Sequence, residues 1–345
     1  MLLQLPAEII DMITYYLDNI DYANFRLTCK QIYRSRNSTP CVKENLTANN
    51  DHLLIDSKSD VVVVDNKSID KLTCTGIGMN KLYAGNVRYI NCSSNHMTHM
   101  VLSKHLIYLN CANNYIVIGS SNVLSPLYGN FDNLRYLNCS ITLQSCFKGP
   151  YEYSMCNLEH LNCSYIYLGY ARLNIFCERL QYLNCSGNKL DLMVLACPEL
   201  KKIICTNAYI VVKQKMLSVT YLDCSYSMFN IKMFPSLTYL KCVDAGIEQI
   251  DGSMFPLLKT LICSKNTLKL FTGVNHIINL DCSECGLVYL PCLKKVEILN
   301  CSKNNISSLP SMPFLRVLDC TNTLVDLKHH ALNTAYSRRP IVRDW

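Results

Sequence analysis

One hexapeptide, L-x-x-L-x-C, recurs along most of this 345-residue chain and constrains its fold more than any other feature. Val or Ile replaces one or both leucines in some of its 13 copies, and clear examples with both leucines occupy residues 134–139, 180–185 and 315–320. The cysteines that close the copies stand at positions 74, 92, 111, 139, 163, 185, 205, 224, 242, 263, 282, 301 and 320. Such regularity predicts a repeat protein, in which each unit buries its apolar face by stacking on its neighbours.

The mean period is about 20.5 residues, which is within the 20–29 residues typical of leucine-rich repeats. Alternation within the hexapeptide predicts a short strand whose second aliphatic residue and cysteine point inward. A free cysteine is a small hydrophobe and can stand where leucine-rich repeats usually place Leu. The sequence therefore predicts an α/β solenoid, a leucine-rich-repeat horseshoe with short parallel strands over residues 69–327, and spacings of 18–22 residues predict a convex side without full helices.

The repeat also explains why the chain holds 21 cysteines. Cysteines that form the inner rungs of a solenoid need no disulfide, and the absence of an export signal favours reduced thiols. Cys282 and Cys285 form a lone CxxC without the second pair that a zinc site requires, and Cys282 is itself a rung. We expect no metal and no other cofactor.

Several repeats place an asparagine three residues after the cysteine, and a buried asparagine there must hydrogen-bond to the backbone. These asparagines are Asn95, Asn114, Asn188, Asn266 and Asn304. We expect each of them to join its own turn to the neighbouring turn. Ala208, Ala245, Cys285 and Thr323 occupy the same position in other repeats, and we expect them to interrupt this ladder.

The first 40 residues follow a helical pattern instead. Ile9, Ile13 and Leu17 recur at i, i+4 and i+8, and Pro6 suits the first turn of a helix, where its missing N–H costs nothing. The pattern predicts three short helices with more apolar side chain than so small a unit can bury alone. This segment therefore needs a partner, which is either the solenoid or another protein.

The string Leu5-Pro6-x-Glu8-Ile9, followed by Arg26-Leu27-Thr28-Cys29-Lys30-x-x-Tyr33, resembles an F-box. With repeats behind it, the chain resembles an F-box/leucine-rich-repeat protein, of the kind that giant DNA viruses of amoebae encode in multiple copies; 33 asparagines suit an AT-rich genome. The resemblance implies that residues 1–40 bind the Skp-type adaptor of a cullin–RING ubiquitin ligase and that the repeats bind the target protein. The adaptor-binding residues it implies are Leu5, Pro6, Ile9, Ile13 and Leu17. The alternative is a helical cap on a protein-interaction scaffold that has no link to ubiquitin.

One outward position of the strands is mostly aromatic, and it gives the candidate target-binding residues Tyr89, Tyr108, Tyr136, His160, Tyr182, Tyr221 and Tyr239. Tyrosine is enriched at binding hot spots, but it is also a good strand former, and both explanations stay open here. Lys201, Lys202 and Lys259 add positive charge compatible with an acidic partner, whereas nucleic acid is a weaker alternative.

The rest of the sequence narrows the function by what it lacks. It has no phosphate-binding glycine loop, paired-carboxylate motif or nucleophile elbow, so we expect no enzyme. No apolar run is close to the length of about 20 residues that a membrane span needs, and the first residues do not resemble a signal peptide. We therefore expect the protein in the cytoplasm or nucleus, which would be those of the host if the protein is viral. Residues 41–68 are a linker or a degenerate first repeat, and residues 328–345 are a C-terminal cap or tail.

Overall fold

The structure, a computed structural model, describes residues 51–326 except 57, 65–66, 98, 115–131, 142–156, 167–173, 176, 189–191, 195–196, 209, 213–214 and 229, and also residues 341–342. These residues divide into two compact units, with the division after residue 151. The predicted helices of residues 1–40 and most of the predicted C-terminal cap lie outside the described residues.

The first unit contains two parallel sheets. Its strands are β1 (His52–Leu54), β2 (Val61–Val63), β3 (Lys71–Thr73), β4 (Lys81–Ala84), β5 (Tyr89–Asn91), β6 (His99–Leu102), β7 (Tyr108–Asn110) and β8 (Tyr136–Asn138). The main sheet has the order β1-β3-β5-β7-β8, and the second sheet has the order β2-β4-β6. From β1 to β7, successive strands along the chain thus belong alternately to the main sheet and to the second sheet.

The second unit repeats this plan over more turns. Its strands are β9 (His160–Asn162), β10 (Asn174–Ile175), β11 (Tyr182–Asn184), β12 (Leu192–Val194), β13 (Lys202–Ile204), β14 (Ile210–Val211), β15 (Tyr221–Asp223), β16 (Tyr239–Lys241), β17 (Gln249–Asp251), β18 (Thr260–Ile262), β19 (Leu270–Thr272), β20 (Asn279–Asp281), β21 (Ile298–Asn300), β22 (Val317–Asp319) and β23 (Ile341–Val342). The main sheet runs β9-β11-β13-β15-β16-β18-β20-β21-β22-β23, and two smaller sheets join β10-β12-β14 and β17-β19. Two 3₁₀ turns, Ile231–Met233 and Gly252–Met254, complete the described elements of this unit.

Each unit is thus a stack of parallel turns, which confirms the predicted solenoid. Each of the 13 repeat cysteines follows directly on a main-sheet strand and is less than a tenth exposed. The middle residue of each three-residue strand in the main sheets is also buried, as Leu183 and Leu240 illustrate, so the core lies behind the main sheet. The thiols add weak bonds between turns, and Cys205 Sγ lies 3.4 Å from the carbonyl oxygen of Asp223 in the next turn.

The structure describes part of residues 41–68, for which the sequence predicts either a linker or a degenerate first repeat. β1 pairs with β3, so that Leu53 lies beside Leu72, and the main sheet begins before residue 69. Val61–Val63 forms a strand that pairs with β4 in the second sheet instead. Its run of valines therefore belongs to the other side of the stack.

The turn that follows each repeat cysteine has one conformation throughout. The residue two places after the cysteine has a positive φ in all 13 turns, although only Gly76 and Gly187 are glycines there. This left-handed backbone directs an N–H to the next turn: Asn113 N donates to the carbonyl of Ser140 at 2.8 Å, and Tyr165 N to that of Ser186 at 2.7 Å. Bonding between turns thus offsets a strain of about 1–2 kcal/mol per non-glycine residue.

The residue before the cysteine stabilises the same turn from the other side. In the Asn-Cys-Ser copies, Asn Oδ1 accepts two hydrogen bonds from the serine two places on. At Asn184 these bonds come from the Ser186 N–H at 3.1 Å and the Ser186 hydroxyl at 2.8 Å. Asp223, Asp281 and Asp319 do the same with a carboxylate oxygen. The Asn-Cys-Ser pattern is therefore a turn motif.

The predicted asparagine ladder is confirmed. Asn95 Nδ2 donates to the carbonyl of Cys92 in its own turn and to that of Cys74 in the previous turn, while its Oδ1 accepts the N–H groups of Ile77 and Met79. The other four asparagines make the corresponding bonds to their own and the previous turn.

The predicted interruptions of this ladder are partly wrong. Cys285 Sγ donates to the carbonyl of Cys263 in the previous turn at 3.1 Å, whereas Thr323 Oγ1 donates to that of Cys320 within its own turn at 2.6 Å. At Ser227, which the asparagine pattern leaves out, the hydroxyl donates to the Cys205 carbonyl at 2.7 Å and accepts the Ala208 N–H at 2.9 Å. A small donor can therefore replace part of the asparagine, because the main partner is a fixed backbone carbonyl.

Candidate protein-interaction surface

The outward face of each main sheet carries the candidate target-binding residues in one row. In the first unit the strand register places Tyr89 beside Tyr108, and Tyr108 beside Tyr136. These three side chains are half-buried, and they occupy the first position of β5, β7 and β8. Parallel pairing without a shift in register therefore brings together residues that are 19 and 28 positions apart.

The second unit carries the remaining candidates in the same way. His160 lies beside Tyr182 and Tyr221 beside Tyr239, with Lys202 between the two pairs. After Tyr239 the row continues with Thr260 and then with residues of other types. The aromatic part of this row therefore ends at β16.

Three pairs of neighbouring rings in these rows stack face to face. The ring centroids are 4.3 Å apart for Tyr108 and Tyr136, 4.0 Å for His160 and Tyr182, and 4.3 Å for Tyr221 and Tyr239, with interplanar angles of 11°, 7° and 3°. Strands in a sheet are about 4.8 Å apart, so equivalent side chains are already at stacking distance. The stacking holds the rings in place before any partner arrives, which lowers the entropy cost of binding.

Lys202 is held by the aromatic rings on both sides of it. Its Nζ lies 4.3 Å from the ring centroid of Tyr221 and 5.5 Å from that of Tyr182. Both distances are within the range of cation–π attraction. A lysine at this position therefore continues the row as an ordered positive charge, a role that the sequence pattern does not reveal.

Partial burial shifts the pKa of three side chains in the two rows. Burial, together with its stacked neighbour Tyr239, raises the pKa of Tyr221 to about 12, and burial likewise raises the pKa of Tyr108 above its ordinary value. Burial also lowers the pKa of His160. At pH 7 the phenols of Tyr221 and Tyr108 therefore stay protonated and His160 stays neutral, and Lys202 supplies the positive charge in the row of the second unit.

The second outward position of each strand is less available than the sequence suggests. The asparagines expected to form a polar stripe there, such as Asn162 and Asn184, use Oδ1 within their own turns. Asp223 is only 7% exposed, and its Oδ2 lies 3.4 Å from Lys241 Nζ. The polar stripe is therefore bonded within its own turns, which leaves the aromatic row as the stronger candidate for contact with a partner.

The described residues contain no group of three or more His, Cys, Asp or Glu side chains that could hold a metal ion. No helix among the described residues is both long and apolar enough to cross a membrane. The predicted adaptor-binding residues, Leu5, Pro6, Ile9, Ile13 and Leu17, lie outside the described residues, so the structure does not place them.

Comparison with solved structures places the turns among the leucine-rich-repeat proteins. YopM from Yersinia enterocolitica matches with a TM-score of 0.57 and 19% identity, over 77% of this chain and 69% of its own. A leucine-rich-repeat protein from Leptospira interrogans matches with a TM-score of 0.51 and 15% identity, over 83% of this chain and 82% of its own. At these identities the likeness shows the fold alone.

A weaker likeness is to the functional domain of InlJ from Listeria monocytogenes, which includes a cysteine ladder. Its TM-score is 0.48 and its identity 21%, over 74% of this chain and 64% of the InlJ chain. No curated protein sequence matches this chain.

The N-terminal segment gives the remaining finding. Residues 2–37 match the F-box domain. This match confirms the F-box resemblance, and with the fold of the repeats it supports an F-box/leucine-rich-repeat protein. Both parts are protein-interaction modules, so they support a general role as a protein-interaction adaptor. Families of these two kinds are typically non-enzymatic.

Proposed function

We propose that this chain is the non-enzymatic, substrate-recruiting subunit of a cullin–RING (SCF-type) ubiquitin ligase. The observation that carries the proposal is the F-box match at residues 2–37 directly ahead of a leucine-rich-repeat stack. The F-box binds the Skp-type adaptor, and the repeats bind the protein that is to be ubiquitinated. The chain itself supplies proximity and no chemistry.

The adaptor side of the proposal rests on the apolar residues of the F-box segment. Leu5, Pro6, Ile9, Ile13 and Leu17 form one apolar face in the helical pattern of residues 2–37. More apolar surface is present there than a unit of about 40 residues can bury alone. In this proposal the adaptor covers that face.

The target side rests on the aromatic rows. Stacked tyrosines offer large contact areas with few side-chain torsions to freeze, which is why tyrosine is common at binding hot spots. The rings of Tyr221 and Tyr239 are half-buried and parallel. In this proposal such ring pairs form the rigid centre of the contact with the target.

The adaptor side is tested by binding of the full chain to a purified eukaryotic Skp-type adaptor. We expect micromolar or tighter binding that is lost in the variant Leu5→Ala/Pro6→Ala/Ile9→Ala. A matched control, Tyr221→Ala/Tyr239→Ala, alters only the repeat face and should bind the adaptor as well as the wild type. Calorimetry or biolayer interferometry measures all three.

Two results would count against the proposal. If neither the wild type nor the variant binds the adaptor, the helical segment is a cap on an interaction scaffold and the link to ubiquitin is lost. If the F-box variant binds as tightly as the wild type, the contact does not use the F-box face. Circular dichroism of each variant shows whether the repeat fold is intact.

Location and origin belong to the same proposal. A cullin–RING ligase acts in the cytoplasm or nucleus, and these are the compartments in which buried free thiols remain reduced. If the chain comes from a giant DNA virus of amoebae, the adaptor is the host's own. Binding to an amoebal Skp-type adaptor, measured beside a human one, would support that origin.

A further inference from the structure

Charge on the outward face of the second unit is segregated along the stack. The outward residues of β13, β15, β16 and β18, together with the residue just before each strand, include four lysines and one aspartate. These are Lys201, Lys202, Lys241, Lys259 and Asp223. The corresponding positions of β20, β21 and β22 carry one arginine and three carboxylates. Those of β9 and β11 carry a single charged residue, Glu159.

Within the positive region, three of the four lysines have no carboxylate partner among the described residues. Among the described residues, no carboxylate oxygen lies within 4.0 Å of Lys201, Lys202 or Lys259. By contrast, Arg88 in the first unit pairs with Asp70 at 2.6 Å. Lys201 and Lys202 are adjacent residues and repel each other, whereas Lys259 lies three strands away, so an anionic ligand would relieve the repulsion at the first pair and add attraction at both ends.

The single acid in this region does not neutralise the surface. The side chain of Asp223 is only 10% exposed, and it accepts hydrogen bonds from Ser225 through Oδ1. Its Oδ2 lies 3.4 Å from Lys241 Nζ. Asp223 therefore anchors Lys241 at the surface, while the outer side of that ammonium group faces solvent.

Aromatic rings lie among these lysines. The stacked pair Tyr221 and Tyr239 lies directly after Lys202 in the row, and the Tyr221 ring is one of the two that hold the Lys202 ammonium group. We define the basic–aromatic patch as Lys201, Lys202, Tyr221, Tyr239, Lys241 and Lys259. It combines fixed positive charge with phenol donors, and both groups bind carboxylates.

The size of the patch limits the length of its ligand. From β13 to β18 there are three strand-to-strand steps of about 4.8 Å, so the patch spans about 14 Å. An extended peptide covers about 3.4 Å per residue, so about four or five residues cross the patch. Carboxylates on either side, Glu159 and Asp281, repel a longer anion.

We infer that the basic–aromatic patch binds a short acidic segment, four or five residues long and rich in Asp and Glu, of the protein that this chain recruits. The inference rests on the proposed recruiting function, of which it specifies the target side. A continuous polyphosphate such as RNA fits less well, because its charge would extend over the negative positions on both sides.

A peptide array tests the inference with the full chain as the soluble probe. Its seven-residue peptides share a Gly/Ser/Leu frame and carry zero to four Asp or Glu residues, each paired with a control peptide in which Asn or Gln replaces the acid. We expect binding to rise with the number of acids and to be absent from the amide controls. Fluorescence anisotropy on the best acidic peptide gives its Kd.

The decisive variant is Lys201→Glu/Lys202→Glu, and its matched control is Lys294→Glu/Lys295→Glu, a second adjacent pair of lysines away from the patch that makes the same change in net charge. We expect the Kd to rise at least tenfold in the patch variant and less than twofold in the control. Lys202→Gln, which keeps most of the side chain, should give an intermediate loss.

Three results would overturn the inference: no preference for acidic over amide peptides, an equal loss of affinity in the patch variant and the control, or tighter binding of a single-stranded RNA 10-mer than of every acidic peptide. The adaptor-binding experiment does not use the patch. If the acidic peptides do not bind but the adaptor does, only the acidic target is refuted. If the acidic peptides bind but the adaptor does not, the link to ubiquitin is refuted.

Discussion

Replacing Asn304 by alanine tests the bonding that joins successive turns of the stack. The Asn304 side chain is only 4% exposed and makes five hydrogen bonds to the backbone. Its Nδ2 donates to the carbonyls of Cys282 at 2.9 Å, Cys301 at 3.0 Å and Ser302 at 3.2 Å. Its Oδ1 accepts the N–H groups of Cys285 at 3.0 Å and Leu287 at 2.9 Å.

The cost of Asn304→Ala follows mainly from the two N–H groups that lose their acceptor. A buried donor left without a partner costs about 1–3 kcal/mol, so two of them cost about 4 kcal/mol. A carbonyl oxygen can accept a second bond from elsewhere, and we assign it a smaller cost. Lowering the free energy of opening this turn by about 4 kcal/mol corresponds to about a 10³-fold rise in the equilibrium constant for opening.

Hydrogen–deuterium exchange with mass spectrometry measures this change where it occurs. The stability of a stacked-repeat protein is a sum of local terms, so a local probe is more informative than a single melting temperature. Peptides that contain Cys285 and Leu287 should exchange about 10³-fold faster in Asn304→Ala. Peptides from the first unit should exchange as in the wild type.

Two further variants show whether the bonds are the cause. Asn305 is adjacent and exposed, so Asn305→Ala should leave exchange within a few-fold of the wild type. Asn304→Ser should lose about 2 kcal/mol, because the hydroxyl of Ser227 shows that serine can accept one N–H and donate to the carbonyl of the previous turn. If Asn304→Ala protects Cys285 and Leu287 as well as Asn305→Ala does, the bonds between turns do not stabilise the stack.

Three other predictions concern the turns and the thiols. Ile141 is β-branched and 53% exposed at a φ of +55°, so Ile141→Gly should relieve strain and stabilise the fold by about 1 kcal/mol; a lower melting temperature than that of Ile141→Ala would contradict this. Cys292 is exposed whereas Cys224 is buried, so brief iodoacetamide treatment of the native protein should label Cys292 before Cys224, as mass spectrometry can show, and equal labelling of the two would argue against inner rungs. Burial raises the pKa of Cys74, Cys224 and Cys301 to about 12, so each thiol stays protonated in the folded chain at a pH where the unfolded thiol ionises. The contribution of these thiols to the free energy of unfolding should be constant below pH 8 and fall between pH 9 and 12 by about 1.4 kcal/mol per pH unit per thiol. Urea midpoints that stay flat between pH 8 and pH 10.5 would refute this.

The repeat spacing is sufficient to predict the main sheet because each L-x-x-L-x-C copy combines a strand period with a fixed turn. Cys224 and Cys242 are buried as predicted, and the asparagine ladder follows from the rule that buried amides must be bonded. The same rule does not predict the hydrogen bonds of Ser227 and Cys285. Their short side chains make only some of the hydrogen bonds that an asparagine makes at this position, so a search for asparagine overlooks them.

Other features depend on geometry that the repeat pattern does not contain. Val61–Val63 joins the second sheet because residues outside the hexapeptide follow no fixed spacing. The cation–π contacts of Lys202 depend on which way its flexible side chain turns, although its place in the row is visible from the alignment of repeats. The clustering of positive charge could be found by comparing the same outward position in every repeat, since the sheet register preserves that alignment.

The first residue of each main-sheet strand has a consequence for how such a protein can change. From β9 to β22 in the second unit this one position holds His160, Tyr182, Lys202, Tyr221, Tyr239, Thr260, Asn279, Ile298 and Val317, while the next residue is always a buried Leu or Ile. Aromatic, basic, polar and aliphatic side chains thus share one backbone without altering it. A lineage can therefore acquire a new target by substitutions in this row, or by duplicating a turn, while the inherited rungs and turn bonds keep the chain folded.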